Sequence, residues 1–151
     1  QKSKSLSRNF QGYTTHSGLD MYSAGLSAIS DIQGAYKQNP KKLKDYYQDH
    51  MQAEKFLISN QDDKNRREII KELMANNFAQ VDIALYAEEF DRLKPFIDES
   101  LLSWSYADLT QPNLINLEIT ELGRFVSRNI ASCFDNYIHK AGAHKTFSKA
   151  L

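Results

Sequence analysis

Within residues 9–36, short strand-like apolar groups are interrupted by Gly12, Gly18, Gly25 and Gly34, whereas beyond Asn39 the apolar residues recur mainly at helical spacing. This change of pattern constrains the fold more than any other feature. Glycine reaches backbone angles closed to other residues, so four of the chain's six glycines in its first 36 residues point to tight turns or to backbone approaching a ligand. Three- and four-residue apolar spacing over the remainder predicts helices with one buried face. The fold class expected is therefore α+β, mostly α.

Asn39-Pro40 is a favourable helix entry, and Leu43, Tyr46 and Tyr47 follow at helical spacing, which predicts a helix over 40–52. KFLIS at 55–59 reads as a strand, and SNQDD then supplies capping side chains for a helix running to Asn76, with Ile69, Ile70, Leu73 and Met74 on one stripe. Asp82 caps a predicted short helix over 83–89, and a further helix is expected over 92–102 with Pro95 in its first turn. Residues 104–109 and 116–119, separated by TQPNL, read as a hairpin. The strongest helical signal comes next: Thr120 as a cap, then Leu122, Phe125, Val126, Ile130, Cys133, Phe134, Tyr137 and Ile138, predicting one helix to His139. This order gives a winged-helix-like domain with a small antiparallel sheet, to which KFLIS would add a third strand beside the hairpin.

The 151 residues carry 19 Lys and Arg against 19 Asp and Glu, so net charge steers the chain toward neither nucleic acid nor an anionic membrane. A nucleic-acid-binding winged helix would need a basic recognition helix, yet the candidate over 91–102 sets Asp91, Asp98 and Glu99 against Arg92 and Lys94. No nucleic-acid partner and no membrane insertion are expected, and no apolar run approaches the length of a spanning helix. Cys133, the one cysteine, cannot form an internal disulfide and fits a reducing cytoplasm; on an apolar stripe with no activating histidine it reads as a buried structural thiol. His16, His50, His139 and His144 are scattered, Asp62 and Asp63 look like acids at a helix start, and Glu88 with Glu89 looks like a solvated pair. No catalytic residue and no metal ligand is assigned. A start at Gln1 without Met reads as a piece of a longer protein.

The segment RNFQGYTT at 8–15 combines an aromatic, an amide, a glycine and hydroxyls in one short stretch, a set suited to an apolar or aromatic ligand but equally ordinary in strands and turns. Followed by Asp20, GLSAIS at 25–30 and GAYKQNPKKLKDYYQ at 34–48, it resembles the end-of-barrel and linker sequence of the oxygen-independent coproporphyrinogen III oxidases. DDKNRREIIKEL, TELGRFVSRNIASCFDNY and the closing FSKAL are similar to that family's small carboxy-terminal domain. The resemblance implies that residues 1–38 end a radical-SAM barrel, 39–54 connect, and 55–151 form a helical accessory domain.

It also implies haem biosynthesis: a parent enzyme with a [4Fe-4S] cluster and two S-adenosylmethionine molecules that converts two propionates of coproporphyrinogen III to vinyls, giving protoporphyrinogen IX, with an electron donor protein as partner. By the same match Ile29 falls on an isoleucine lining S-adenosylmethionine, and Phe10 and Gln11 on a pair close to the second S-adenosylmethionine or the substrate. The bland alternative makes Ile29 a core residue and Phe10 an interface residue. Where the family often has GxGxSAIS, Ser23 replaces the first glycine, so the loop shape is in question. The cluster motif CxxxCxxC is absent, and the chain alone is expected to be inactive. A haem-chaperone-like relative and a winged-helix nucleic-acid-binding module are the alternatives.

Overall fold

The computed structural model describes residues 6–9, 12–16, 18–48 and 52–140, which divide into two compact units, Ser5–Asn65 and the described residues from Arg66 onward. Among the described residues fourteen elements follow one another in an α+β order, and the strand pairings there are antiparallel.

In the first unit, β1 (Ser7–Asn9) and β2 (Gly12–Thr14) pair with Arg8 opposite Tyr13, and the Arg8 guanidinium lies 5.5 Å from the Tyr13 ring centre. A separate three-stranded sheet has the order β3 (Ile29–Ile32), β4 (Ala35–Gln38), β5 (Lys55–Ile58). The β3–β4 turn is made by Gln33 at φ 52° and Gly34 at φ 86°, the pair of left-handed residues that a two-residue turn needs to match strand twist. The Asp20 carboxylate accepts the Gln33 amide at 2.9 Å and so holds this turn from outside the sheet. Helix α1 is described over Leu43–Gln48, starting later than the expected 40–52, of which 49–51 lie outside the described residues.

KFLIS is a strand, but not the one expected. β5 pairs with β4, Ala35 opposite Ile58 and Lys37 opposite Phe56, and so completes this sheet and not the later hairpin's. Its turn into the next helix behaves as predicted. The Asn60 side chain accepts the Asp63 amide at 2.8 Å while the Asp63 carboxylate accepts the Asn60 amide at 3.0 Å, a reciprocal cap at the head of α2 (Gln61–Asn76). Helix α2 starts in the first unit and finishes in the second.

The second unit is built on the sheet β6 (Phe78–Asp82), β8 (Leu114–Ile119), β7 (Leu102–Tyr106), in that spatial order. Sequence reasoning missed β6, whose five residues alternate Ala79 and Val81 inward with polar Gln80 outward. In register with Leu117 and Ile115 of β8, these side chains form a core with Leu73 of α2, Leu93 of α3 (Ala87–Asp98) and Ile130 of α4 (Ser127–Ser132). Two helices predicted over 83–89 and 92–102 are one: 83–86 is a turn, and α3 runs through Pro95. Pro95 lies beyond the first turn, where it costs an internal hydrogen bond. The helix stops at Ser100, φ 58°, with the Leu101 amide reaching the Phe96 carbonyl at 2.8 Å, a left-handed termination made here without glycine.

The long helix expected from Thr120 to His139 is interrupted twice. Thr120 does cap, accepting the Gly123 amide at 3.1 Å, but 123–126 is a 3-10 turn, α4 ends at Ser132, and α5 (Asn136–Lys140) starts again after Asp135. At Gly123, an added Cβ would stand 1.9 Å from the Leu101 carbonyl oxygen, so the chain is pinned where only glycine fits. Leu122 and Phe125 are consequently exposed, 67% and 89%, instead of joining Ile130 and Phe134 on one buried stripe.

Candidate functional site

Residues 23–28, which lead into β3, form no regular element and are shaped largely by polar contacts. Ser23 carries no left-handed backbone angle, so serine is accommodated without strain where the family pattern has glycine. Its side chain instead has a function, for Ser23 Oγ donates to the Ile29 carbonyl at 2.6 Å, and the Ser23 amide donates to Ser30 Oγ at 3.0 Å. The unusual conformations fall on Gly25, φ 102°, and on Ser27, φ 57°. Left-handed geometry disfavours a side chain, so Ser27 must be held by its surroundings.

Those surroundings are Asn39 and Tyr46. Asn39 is buried and donates through Nδ2 to the Gly25 carbonyl at 2.9 Å and the Ser23 carbonyl at 3.4 Å, while its own amide reaches the Ala28 carbonyl at 2.9 Å. The Tyr46 hydroxyl of α1 accepts the Gly25 amide at 3.0 Å, and the Ser27 amide reaches the Pro40 carbonyl at 2.9 Å. Ile29, at the end of this loop and the start of β3, is half-buried opposite Gln38. Alongside, Met21 and Asp31 exchange both backbone hydrogen bonds, at 2.8 and 2.9 Å. Sequence reasoning named Ile29 as a candidate but did not single out Ser23, Asn39 and Tyr46, which hold the loop leading to it. The one local signal was an asparagine before proline, which served there only as a helix entry.

Phe10 and Gln11 lie outside the described residues; the flanking β1 and β2 are paired. An aliphatic side chain that is neither fully buried nor fully exposed is chemically suited to one face of an adenine, so Ile29 fits the ligand implied for it. An iron-sulfur cluster does not fit this chain. It needs several thiolates and the sequence has one cysteine, while the described residues hold no group of three or more metal-ligating side chains.

Cys133 is buried, its thiol directed to the Asn129 and Arg92 carbonyls at 3.6 and 3.9 Å. Burial pushes its pKa up, against an opposing pull from Arg92, which suits a structural thiol and not a nucleophile. His16 and His139 are exposed; the other two histidines lie outside the described residues. Glu88 and Glu89 are not a solvated pair. Glu88 is exposed, but Glu89 is buried and accepts from Arg66 at 2.6 Å and from Arg92 at 3.5 Å. These guanidiniums also reach the Phe134 and Cys133 carbonyls, at 3.4 and 3.2 Å, and Arg66 lies 5.0 Å from the Tyr86 ring centre. The cluster ties α2, α3 and the end of α4 together, a packing role. No described helix is long and apolar enough to cross a membrane.

No protein-family model matches the chain. Its fold is shared with a radical SAM enzyme: a solved coproporphyrinogen III oxidase from Escherichia coli superposes with a TM-score of 0.76 at 34% identity, over 90% of this chain and 33% of that one. Curated relatives narrow the class. The oxygen-independent coproporphyrinogen III oxidases of Escherichia coli K12 and Synechocystis are 33% and 36% identical over 100% of this chain, which covers 34% of each. That of Thermostichus vulcanus is 36% identical, again over 100% of this chain and over 48% of the relative. Over its whole length the chain is thus similar to oxygen-independent coproporphyrinogen III oxidases. The chain spans about a third of the length of most of the curated relatives it matches.

Proposed function

We propose that this chain serves as the carboxy-terminal part of an oxygen-independent coproporphyrinogen III oxidase in haem biosynthesis, and that the full-length protein acts in the cytoplasm. The observation that carries this reading is similarity over the whole of this chain to enzymes of that one name, joined to a shared fold at 34% identity. In this proposal residues 1–38 end the radical-SAM barrel, 39–54 connect, and 55–151 form the accessory domain, whose first strand β5 pairs back onto β4.

S-adenosylmethionine, when bound, would supply the radical chemistry by which each of two propionates of coproporphyrinogen III loses a hydrogen atom, carbon dioxide and an electron and becomes a vinyl group. The product is protoporphyrinogen IX. Ile29 would offer its aliphatic face to the adenine, and Phe10 and Gln11 would lie near the second S-adenosylmethionine or the substrate. The cluster and its electron donor protein would be engaged by parts of the enzyme other than these residues, so the chain alone would be inactive.

The test is made in the full-length protein. Ile29→Ala removes most of an aliphatic side chain, about 0.8 kcal/mol for each methylene it keeps from water, and should weaken S-adenosylmethionine binding by about tenfold. Unchanged binding would remove Ile29 from the site. Binding of coproporphyrinogen III without decarboxylation by the full-length protein would replace the oxidase reading with a haem-chaperone-like one.

A further inference from the structure

We propose that Asn39 and Tyr46 are positioning residues for the S-adenosylmethionine site: they hold the loop 23–28 in its one bound-ready shape and thereby fix where Ile29 stands. The proposal rests on the reading of Ile29 as a contact of that ligand. Its physical basis is independent of that reading.

The loop contains two left-handed residues and no helix or strand pairing of its own, and its local bonds are a long Ala28 amide to Gly25 carbonyl contact at 3.4 Å and those of Ser23. To these is added a set of bonds from far along the chain. The Gly25 peptide is held on both sides: its amide by the Tyr46 hydroxyl, 21 residues away, and its carbonyl by the Asn39 side chain, 14 residues away. Asn39 also binds the Ser23 carbonyl, and Ser23 binds the Ile29 carbonyl, so the two ends of the loop are linked through one buried amide and one hydroxyl. Nothing lies within 4 Å of the position a Gly25 Cβ would take, so packing does not restrain this peptide from that side. Loss of either polar partner should leave the loop free to sample other shapes, lowering the fraction in which Ile29 is correctly set.

Tyr46→Phe and Asn39→Asp remove the acceptor and the donor respectively at nearly constant size. In the full-length protein without ligand, hydrogen exchange over 23–30 should accelerate in Tyr46→Phe while exchange in β6, β7 and β8 stays at the parent rate. With ligand, KM and Kd for S-adenosylmethionine should rise about tenfold in Tyr46→Phe, with kcat at saturating ligand kept within about twofold. Asn39→Asp should act the same way; if it fails to fold, Tyr46→Phe alone decides. Unchanged exchange over 23–30 in Tyr46→Phe overturns the clamp. Faster exchange with unchanged affinity, in a protein where Ile29→Ala does weaken binding, reduces the clamp to a structural feature and overturns the positioning role. Unchanged affinity in Ile29→Ala sinks the ligand reading instead and leaves the exchange result to judge the clamp.

Discussion

Replacing Glu89 by Gln should destabilise the second unit by about 3 kcal/mol at neutral pH, because two partly buried guanidiniums would be left against a neutral amide where a buried carboxylate now stands. The carboxylate side chain is 6% exposed, and it accepts from Arg66 at 2.6 Å and Arg92 at 3.5 Å. Removing one partner of a buried ion pair costs about 3–5 kcal/mol when the remaining charge is stranded. The lower end applies here: Arg66 keeps the Phe134 carbonyl and the Tyr86 ring, and Arg92 keeps Glu88 at 3.2 Å.

The pH dependence gives a second check. Burial pushes the Glu89 carboxyl up, but the Arg66 hydrogen bond, a backbone bond and the charges of Arg66 and Arg92 outweigh it, and the net pKa is below the ordinary 4.5. A carboxylate depressed in the folded state stabilises fully above its unfolded value and loses that contribution as pH falls through the folded one. The difference between parent and Glu89→Gln should therefore be complete at pH 7, begin to shrink near pH 4.5, and continue to shrink below it. Trp104, the only tryptophan of the chain, lies in β7 and reports unfolding of this unit by fluorescence in urea titrations. A loss under about 0.5 kcal/mol, the range of an exposed pair, or one that persists undiminished at pH 3, would refute the reasoning.

Gly123→Ala should destabilise the same unit by at least about 3 kcal/mol, since its Cβ would meet the Leu101 carbonyl, a backbone atom that cannot swing aside; a neutral effect in the fluorescence titration would refute the pinned turn. Phe134→Ala, emptying the largest fully buried side chain, should cost about 3–5 kcal/mol by the same assay. Gly34→Ala should cost about 1–2 kcal/mol through its φ of 86° alone, since the nearest atom, the Lys64 Cε at 3.0 Å, is the end of a flexible chain; calorimetry with Lys64→Ala added should leave that cost unchanged. Asn60→Ala should cost about 1 kcal/mol by removing the α2 cap, seen as a loss of helical circular dichroism on heating.

The parts of this fold that were legible in the sequence are those whose cause is local. KFLI is a strand because of its own residues, and α2 begins just after Asn60 because Asn and Asp at that spacing can satisfy each other's amides. The misreadings have causes that no window of sequence contains. β5 pairs with β4 and not with the hairpin, and pairing partners are not written in a strand's own pattern. The apolar spacing after Thr120 is the strongest in the chain, yet it yields a 3-10 turn and two short helices. Gly123 is pressed against Leu101, and Arg66 and Arg92 take the carbonyls of Phe134 and Cys133, leaving Asp135 to start α5 by accepting the Tyr137 amide at 2.9 Å.

The candidate site divides in the same way, and the division explains why resemblance singled out Ile29 as a candidate while residue-by-residue reasoning named none of the residues that hold its loop. A candidate of that kind is picked out by matching a short motif, and GLSAIS is short and contiguous. A support is defined by which distant carbonyl or amide it satisfies, and the supports of this loop come from Asn39 and Tyr46, 14 and 21 residues beyond the glycine they hold. Neither has a composition or spacing signal, because an Asn before Pro and a Tyr on a short helix have ready local explanations. Ser23 makes the point from the other side: in sequence it is a departure from glycine that threatens the loop, and in the structure its hydroxyl closes that loop on the Ile29 carbonyl at 2.6 Å. Restoring glycine there should therefore loosen the loop, so Ser23→Gly should speed hydrogen exchange at 23–30 in the full-length protein; slower exchange would mean that the serine is a strained substitution after all.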